Sequence, residues 1–250
     1  MATSITNTSI TTDDLTVDTS TLKVDAANNR VGIGTATPTQ ATLHVDGGGV
    51  PARFESTSAG TSYVQFGASG TTNYGQIAMN GNDMTLRTSY QDRMKITGGG
   101  IITKNSQPFF EACFDTSAWT NFATGGTWVK LDFNTTLSNV GGHYSTADSR
   151  FTAPVAGKYY FRAQVFLSIT FTYTTPYLSY LGFYKNNGFF THTGGDLQST
   201  EHLKHSLIMD LAAGDYVDVR IQQAQNPTGN QYYKHANGRN YTYFHGLLIG

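Results

Sequence analysis

Residues 150–167 constrain the fold of this chain more than any other part of the sequence. After Gly157 the sequence alternates, and its apolar positions are Tyr159, Phe161, Ala163, Val165 and Leu167. Alternation over this length predicts a strand with one buried face, which puts Phe161 in the core and Arg162 and Gln164 on the other face. Pro154 lacks a backbone donor and Gly157 tolerates unusual dihedral angles, so this pair suits a corner between two strands.

Four blocks of the sequence resemble the signature of one all-β family. They are 139–167, with Asn-Val-Gly-Gly and Phe-Thr-Ala-Pro-Val-Ala-Gly, followed by 181–188, 207–217 and 244–250. The blocks occur in the order found in the globular heads of the C1q and tumour necrosis factor superfamily, which residues 107–250 resemble. The resemblance implies a ten-stranded jelly roll that assembles as a homotrimer. No stretch shows a helical period with caps, and the predicted fold class is all-β throughout.

The sequence of the N-terminal region predicts two smaller β segments. Residues 1–50 hold short apolar pairs between polar turns: Leu15 with Val17, Leu22 with Val24, Val31 with Ile33, and Leu43 with Val45. Such pairs bury too little area in a monomer to offset chain ordering, about 1–2 kcal/mol per residue. We therefore expect a trimeric shaft or docking segment that folds with partner chains. Residues 51–104 alternate more regularly between Gly-containing turns, which predicts a small antiparallel meander.

Two N-terminal stretches point to a class of protein. Residues 25–45, DAANNRVGIGTATPTQATLHV, resemble a module of bacteriophage tail fibres and related virion proteins. Residues 84–100 resemble what precedes the tips of such fibres. The resemblance implies a virion protein whose N-terminal region docks to tail or capsid proteins. Gly32-Ile33-Gly34 does not indicate a nucleotide loop, because the third glycine and the following helix are missing.

Composition excludes several classes of function. The net charge is -1, which gives no steering toward nucleic acid, so a nucleic-acid binder is not expected. The single cysteine, Cys113, rules out an intrachain disulfide and predicts a buried, inert thiol. No apolar run approaches the roughly 18 residues of a membrane span, so membrane insertion is not expected. The N-terminus has neither a basic region nor an apolar core, so we expect synthesis in the host cytoplasm and residence in the virion.

The sequence offers little for catalysis or metal binding. Glu201, His202 and His205 lie close together, but residues three apart on a strand face opposite sides, so no metal site within one chain is expected. One histidine per chain meeting its mates on a trimer axis stays open. His245, among apolar neighbours, predicts a packed, hydrogen-bonded core residue. There is no Gly-x-Ser-x-Gly motif, so we expect no enzyme, and no cofactor is expected.

The candidate receptor-binding site lies in residues 224–240, AQNPTGNQYYKHANGRN, a connection that is long for a jelly roll. Its aromatic and basic residues are Tyr232, Tyr233, Lys234, His235 and Arg239. Such residues suit a host glycan or a protein receptor, whereas the alternative is that both tyrosines pack on a neighbouring protomer. The implied strand order puts 224–240, 194–200 and 168–176 at the end of the head far from its first residue. It puts the tight turns 186–188 and 212–215 at the near end.

The leading functional hypothesis is a homotrimeric bacteriophage fibre and receptor-binding protein. It would attach to the particle by its N-terminal region and bind the host surface with its C-terminal head. The alternative is a structural protein that decorates the capsid or braces the tail, a head fibre without a specific receptor. A free, soluble C1q-like binding module ranks third, and an enzyme last.

Overall fold

The computed structural model describes most of the chain from residue 21 onward. The described residues are 21–25, 27–35, 37–39, 42–47, 49, 52, 61–67, 75–114, 119–122, 126–169, 177–197, 201–223, 231–234 and 241–250, with the backbone only for 119–122, 168–169, 177, 196–197, 201 and 231–234. These residues form twenty-one strands and no helix, which confirms the predicted all-β class. Among them no helix is long and apolar enough to cross a bilayer.

The chain divides into two compact units. One comprises Met1–Gln91 with Ile96–Gly100, and the other comprises Asp92–Lys95 with Ile101–Gly250. The finer division into 1–50, 51–104 and 107–250 stays a prediction.

Very short strands form the first sheet of the N-terminal unit: β1 (Leu22–Asp25), β2 (Arg30–Ile33) and β3 (Leu43–Val45). β1 pairs with β2 antiparallel, and β2 pairs with β3 parallel. Asn29 adopts a positive φ of 53° in the turn between β1 and β2, a conformation that asparagine tolerates well. The three predicted strands within the described residues are confirmed, and the pair Leu15 and Val17 lies outside those residues.

A meander follows, with strands β4 (Ser62–Phe66), β5 (Gly75–Asn80), β6 (Asp83–Thr88), β7 (Gln91–Ile96) and β8 (Ile102–Thr103). The strands lie side by side in chain order, and β4, β5 and β6 pair antiparallel as predicted. Ala78 and Thr85 are buried on one face, whereas Ile77, Met79 and Leu86 are exposed on the other. The exposed face is therefore the more apolar one.

The C-terminal unit is a sandwich of two sheets. The first sheet is built from β9 (Phe109–Cys113), β12 (Thr135–Val140), β15 (Gly157–Ile169), β18 (Glu201–Leu211) and β21 (Tyr243–Leu248). β15 is central, because β18 flanks one side and β21 the other, followed by β9 and β12. Two short strands, β10 (Trp119–Phe122) and β20 (Gln231–Lys234), extend the sheet beyond β21 along β15.

The second sheet is built from β13 (Tyr144–Ser145), β14 (Arg150–Thr152), β16 (Tyr177–Lys185), β17 (Gly188–Leu197) and β19 (Tyr216–Gln223). Their order is β13-β14-β19-β16-β17, and the two-residue β11 (Val129–Lys130) pairs with β19. Ten strands thus form two facing five-stranded sheets, the predicted jelly roll, and β10, β11 and β20 are additions.

Aromatic rings fill the space between the two sheets. Phe161 is 0% exposed, and its ring centroid lies 5.7 Å from that of Phe151, 5.9 Å from that of Phe244 and 6.3 Å from that of Phe183. Arg162 is exposed. The predicted alternation of β15 is confirmed, although Gln164 on the outer face is buried and donates through Nε2 to the Tyr241 carbonyl at 2.9 Å.

Candidate binding surface

One end of the sandwich, here called the base, holds the first and last residues of the jelly roll. The Leu248 amide donates to the Pro108 carbonyl at 3.0 Å, and the Ile249 amide donates to the Lys158 carbonyl at 2.8 Å. Because β9 and β21 pair antiparallel, the first strand runs away from the base and the last strand returns to it. The strand order implied by the sequence assumes that the first and last strands are antiparallel neighbours, and the structure agrees.

Two tight turns at the base are locked to each other. Asn186 and Asn187 have positive φ values of 51° and 64°, which forms the two-residue hairpin between β16 and β17. The Asn186 side chain donates to Asp215 Oδ1 at 2.7 Å, and Lys185 forms an ion pair with Asp215 at 2.8 Å. Hydrogen bonds from Lys185, from Asn186 and from the Ala212 amide lower the pKa of Asp215 to about 2. This charged cluster is structural.

The opposite end, here called the apex, is where the longer connections attach. β15 ends there at Ile169 and β16 begins at Tyr177, while β17 ends at Leu197, β18 begins at Glu201 and β19 ends at Gln223. The intervening residues 170–176, 198–200 and 224–230 lie outside the described residues. The gaps 170–176 and 224–230 agree with the prediction of longer connections at this end. The predicted loop 194–200 was too long, because β17 extends to Leu197 and leaves only residues 198–200 before β18.

Residues 224–240 are not one uninterrupted connection, which corrects the sequence-based description. Residues 231–234 form strand β20, which pairs with β15 and with β10. A short aromatic run has high β-propensity, and the free side of β15 near its end supplies a partner. The register pairs Tyr233 with Leu167 and Tyr232 with Ser168, so the two tyrosines belong to opposite faces of the sheet.

The structure describes three of the five candidate site residues. Tyr232, Tyr233 and Lys234 lie in β20, next to the apical end of β15. His235 and Arg239 lie outside the described residues. The role of all five in receptor binding stays a prediction.

An aromatic cluster that the sequence-based reasoning missed lies beside β20. Phe166, His202 and Tyr241 form it, with ring centroids 4.6 Å apart for Phe166 and His202 and 5.0 Å apart for Phe166 and Tyr241. Burial lowers the pKa of His202, and the positive charge of Lys204 lowers it further. A neutral imidazole at the apex presents a ring face and hydrogen-bonding nitrogens, as the predicted site does. The cluster depends on the pairing of two strands that are distant in sequence, which puts Phe166 opposite His202. Only knowledge of that register could have identified it.

Polar side chains are also buried between the sheets toward the apex. Gln223 is fully buried, and neither its Nε2 nor its Oε1 has a hydrogen-bond partner among the described residues. His205, on the core face of β18, packs its ring 5.3 Å from that of Phe183. Burial lowers the pKa of His205, with a further contribution from His192. The apical part of the core is thus more polar than the rest.

The histidines do not gather around a metal position within the described residues. His202 is exposed on the outer face of β18, and His205 lies on the core face, as the strand period predicts. No group of three or more His, Cys, Asp or Glu side chains in the described part of the chain could hold a metal ion. Cys113 is buried.

His245 differs from the expectation that it is a core residue. It alternates with the fully buried Phe244, so it lies on the outer face of the first sheet. Its ring stacks on that of Tyr243 at 4.3 Å, and its Nε2 is 4.0 Å from Glu111 Oε1. The apolar neighbours in sequence belong to the opposite face of β21, which explains the error.

Comparison with protein families identifies the family of this chain. The family model described as C1q domain matches residues 113–249. The globular domain of zebrafish complement 1qA is similar in structure, with 16% identity, 58% of this chain and 98% of that chain covered, and a TM-score of 0.40. Murine APRIL has 10% identity, coverage of 57% and 99%, and a TM-score of 0.41. Eiger TNF from S. frugiperda has 10% identity, coverage of 58% and 94%, and a TM-score of 0.39. A comparison with curated proteins finds no match.

Proposed function

Because the chain belongs to the C1q domain family, we propose that it is a homotrimeric attachment protein of a bacteriophage particle. Its N-terminal unit docks to tail or capsid proteins, and the apex of its jelly roll binds a glycan or protein on the host surface. Domains of the C1q and tumour necrosis factor type commonly form homotrimers and bind ligands without catalysing a reaction. The virion context rests on the resemblance of residues 25–45 and 84–100 to phage fibre modules.

The outer face of the first sheet supports the trimer. Ile208 and Phe109 lie on this face, away from the core, and Ile208 is exposed. Arg162, 5.6 Å from the Tyr243 ring centroid, and the pair of His245 and Glu111 add polar groups to the same face. A sheet face with apolar and hydrogen-bonding side chains suits burial against copies of itself around a closed axis.

One observation carries the assignment of binding to the apex. The base holds both ends of the jelly roll and two turns locked by Asp215, whereas the apex is where the longer connections, β20 and the Phe166 cluster come together. Longer connections held on a rigid scaffold are the usual position of binding residues. In a trimer each contact is presented three times, so weak individual contacts would give useful avidity.

The register of β20 sharpens the test. Tyr232→Ala with Lys234→Ala changes one face of the strand, and Tyr233→Ala changes the face shared with Leu167. We expect the first variant to lose binding of labelled protein to cells of the phage host, with its oligomeric mass and melting temperature unchanged. Tyr63→Ala, at an exposed tyrosine of the N-terminal unit, is the matched control and should bind normally.

Two results would contradict the binding role. If the Tyr232 and Lys234 variant binds host cells normally, or loses its trimer, β20 is a packing element. That result would favour the alternative hypothesis of a structural protein that decorates the capsid or braces the tail. Antibody labelling of intact phage particles tests the virion assignment separately, because that assignment fails if purified particles lack the chain.

A further inference from the structure

An aromatic patch covers part of the outer face of the second sheet, away from both the apex and the core. It consists of Trp128, Tyr180, Tyr184, Phe189 and His192. Ring centroids lie 5.6 Å apart for Trp128 and Tyr184, 5.9 Å for Trp128 and Phe189, and 4.9 Å for Tyr180 and His192. Tyr180 and Tyr184 alternate along β16 with the fully buried Leu181 and Phe183, so they point away from the core.

Two glycines make room for these rings. A Cβ at Gly182 would lie 2.8 Å from the six-membered ring of Trp128, and a Cβ at Gly194 would lie 2.2 Å from the ring of Tyr180. Any residue larger than glycine at position 182 or 194 would therefore displace the ring that packs there. Neither glycine has a positive φ, so ring contact rather than backbone conformation requires them.

A β-bulge exposes further aromatic surface at the edge of the patch. The pairing of β16 with β17 shifts register between Phe183 and Tyr184, where Phe183 faces Thr191 and Tyr184 faces Phe189. Phe189, at the edge of the patch, is left 53% exposed, whereas Phe190, 47% exposed, lies outside the ring cluster. Bulges re-aim side chains and recur beside functional sites. A cluster of exposed aromatic rings on a folded domain is a mark of an interaction surface.

The patch carries a fixed polar group without net charge. The Arg220 guanidinium lies over the Tyr184 ring, 4.0 Å from its centroid. Asp218, 2% exposed, accepts from Arg220 Nε at 2.6 Å and from its terminal nitrogen at 3.1 Å. The same nitrogen also donates to Asn187 at 2.9 Å. Because Asp218 neutralises Arg220, the site offers ring faces and amide groups to a ligand but no uncompensated charge.

We propose that this patch binds one or two neutral pyranose rings of a glycan. A neutral sugar has a face of C–H bonds, which packs on aromatic rings, and a rim of hydroxyls, which pairs with amide and guanidinium groups. The patch favours a neutral sugar over an acidic one, because Arg220 is already paired with Asp218 and no other cation among the described residues of the patch could pair with a sugar carboxylate. Tyr184 is 6% exposed and Trp128 is half-buried, so the exposed area is well below the roughly 800 Å² per partner of a standard protein interface. The site is separate from the apex and does not depend on its role.

Saturation-transfer NMR with the full-length protein tests the proposal. The probes are methyl glycosides of glucose, galactose, mannose and N-acetylglucosamine, with glucuronic acid and N-acetylneuraminic acid as acidic counterparts. We expect transfer to at least one neutral sugar, strongest at the protons of one ring face, and a dissociation constant in the millimolar range. Trp128→Ala should weaken that binding by about tenfold or more, which corresponds to about 1.4 kcal/mol. His192→Ala, at an exposed member of the patch, should weaken it as well and is the second variant if Trp128→Ala fails to fold.

Phe190→Ala is the matched control, because Phe190 lies on the same strand with similar exposure but is not part of the ring cluster. It should retain binding within about twofold. The proposal is wrong if no neutral sugar in the panel shows transfer, if the acidic sugars bind more tightly, or if folded Trp128→Ala and His192→Ala proteins bind like the original chain. Variants of Tyr232 and Lys234 should leave this binding unchanged, so failure here and failure at the apex are distinguishable.

Discussion

At the scale of single residues, the aromatic side chains between the sheets account for the stability of the jelly roll. Phe161 contacts rings from four other strands, including Phe110 of β9, at 6.4 Å between centroids. Phe161→Ala should therefore lower the free energy of unfolding by about 3–5 kcal/mol, because a cavity remains. Phe190→Ala removes the same phenyl group from an exposed position and should cost no more than about 0.5 kcal/mol. Urea unfolding of both variants measures the difference, and equal losses would contradict the assigned core.

Because His205 is partly buried, we expect the stability of the fold to depend on pH. Burial lowers its pKa in the folded state below the ordinary histidine value of 6.5. As the pH falls through this value, the unfolded chain takes up a proton that the folded chain resists, so the free energy of unfolding decreases. The melting temperature should fall between about pH 7.5 and pH 5.5. His202 contributes with the same sign, whereas the low pKa of Asp215 acts only in a more acidic range.

Replacing His205 isolates its contribution. His205→Leu should make the melting temperature depend less steeply on pH across this range, since leucine cannot take up a proton and can pack against the Phe183 ring. Leu207→Ala, on the same face of β18, removes packing without a titratable group, so it is the control and should keep the original slope. An unchanged slope in the His205 variant would show that this imidazole is not held neutral.

At the scale of strands, a glycine fixes how β21 sits against the core. A Cβ at Gly246 would lie 2.4 Å from Phe110 Cε1 and 2.6 Å from Phe161 Cδ1. Gly246→Ala should therefore destabilise the fold by about 1–3 kcal/mol through overpacking. Gly195 in β17 has open space at the same position, so Gly195→Ala is the matched control and should be nearly neutral. If denaturant midpoints shift equally, β21 is not packed as described.

The sequence predicted those strands that have a clear local pattern of alternating residues or turn residues. β15 alternates from Tyr159 to Leu167, and Asn186-Asn187-Gly188 strongly favours a turn, so both could be predicted. β20 could not, because its pairing depends on a free edge of β15 that only the folded sheet creates. The outward position of His245 was missed for a related reason, since its apolar neighbours in sequence lie on the other face of β21.

The candidate surfaces were predictable to different degrees. The apical end of β19, at Gln223, follows from the antiparallel pairing of β9 and β21, which the family resemblance implies. The aromatic patch on the second sheet was not predicted. Trp128 reaches it from a segment about fifty residues before Tyr180 and Tyr184, and no local pattern links them. Gly182 and Gly194 were the available signal, because each interrupts a strand without a turn.

At the scale of the whole molecule, the two units differ in how much of their apolar surface they bury. The jelly roll buries a continuous aromatic core, whereas β5 and β6 leave Ile77, Met79 and Leu86 exposed. A fragment of residues 107–250 should therefore fold and trimerise by itself, and residues 1–104 should not form a stable monomer. Circular dichroism and light scattering of the two fragments check this. A well-dispersed NMR spectrum of monomeric 1–104 would contradict the expectation that this region folds with partner chains.

The central claim is that three chains assemble into one attachment protein, and the mass of the purified full-length protein tests it most directly. Ile208 on the outer face of the first sheet is exposed in the single chain, as are Ile77, Met79 and Leu86 on β5 and β6, and the proposed trimer would bury such apolar side chains between its chains. Multi-angle light scattering at micromolar concentration should give three times the 27.2 kDa mass of one chain, without dissociation on dilution. A stable, folded species of 27.2 kDa would contradict the account.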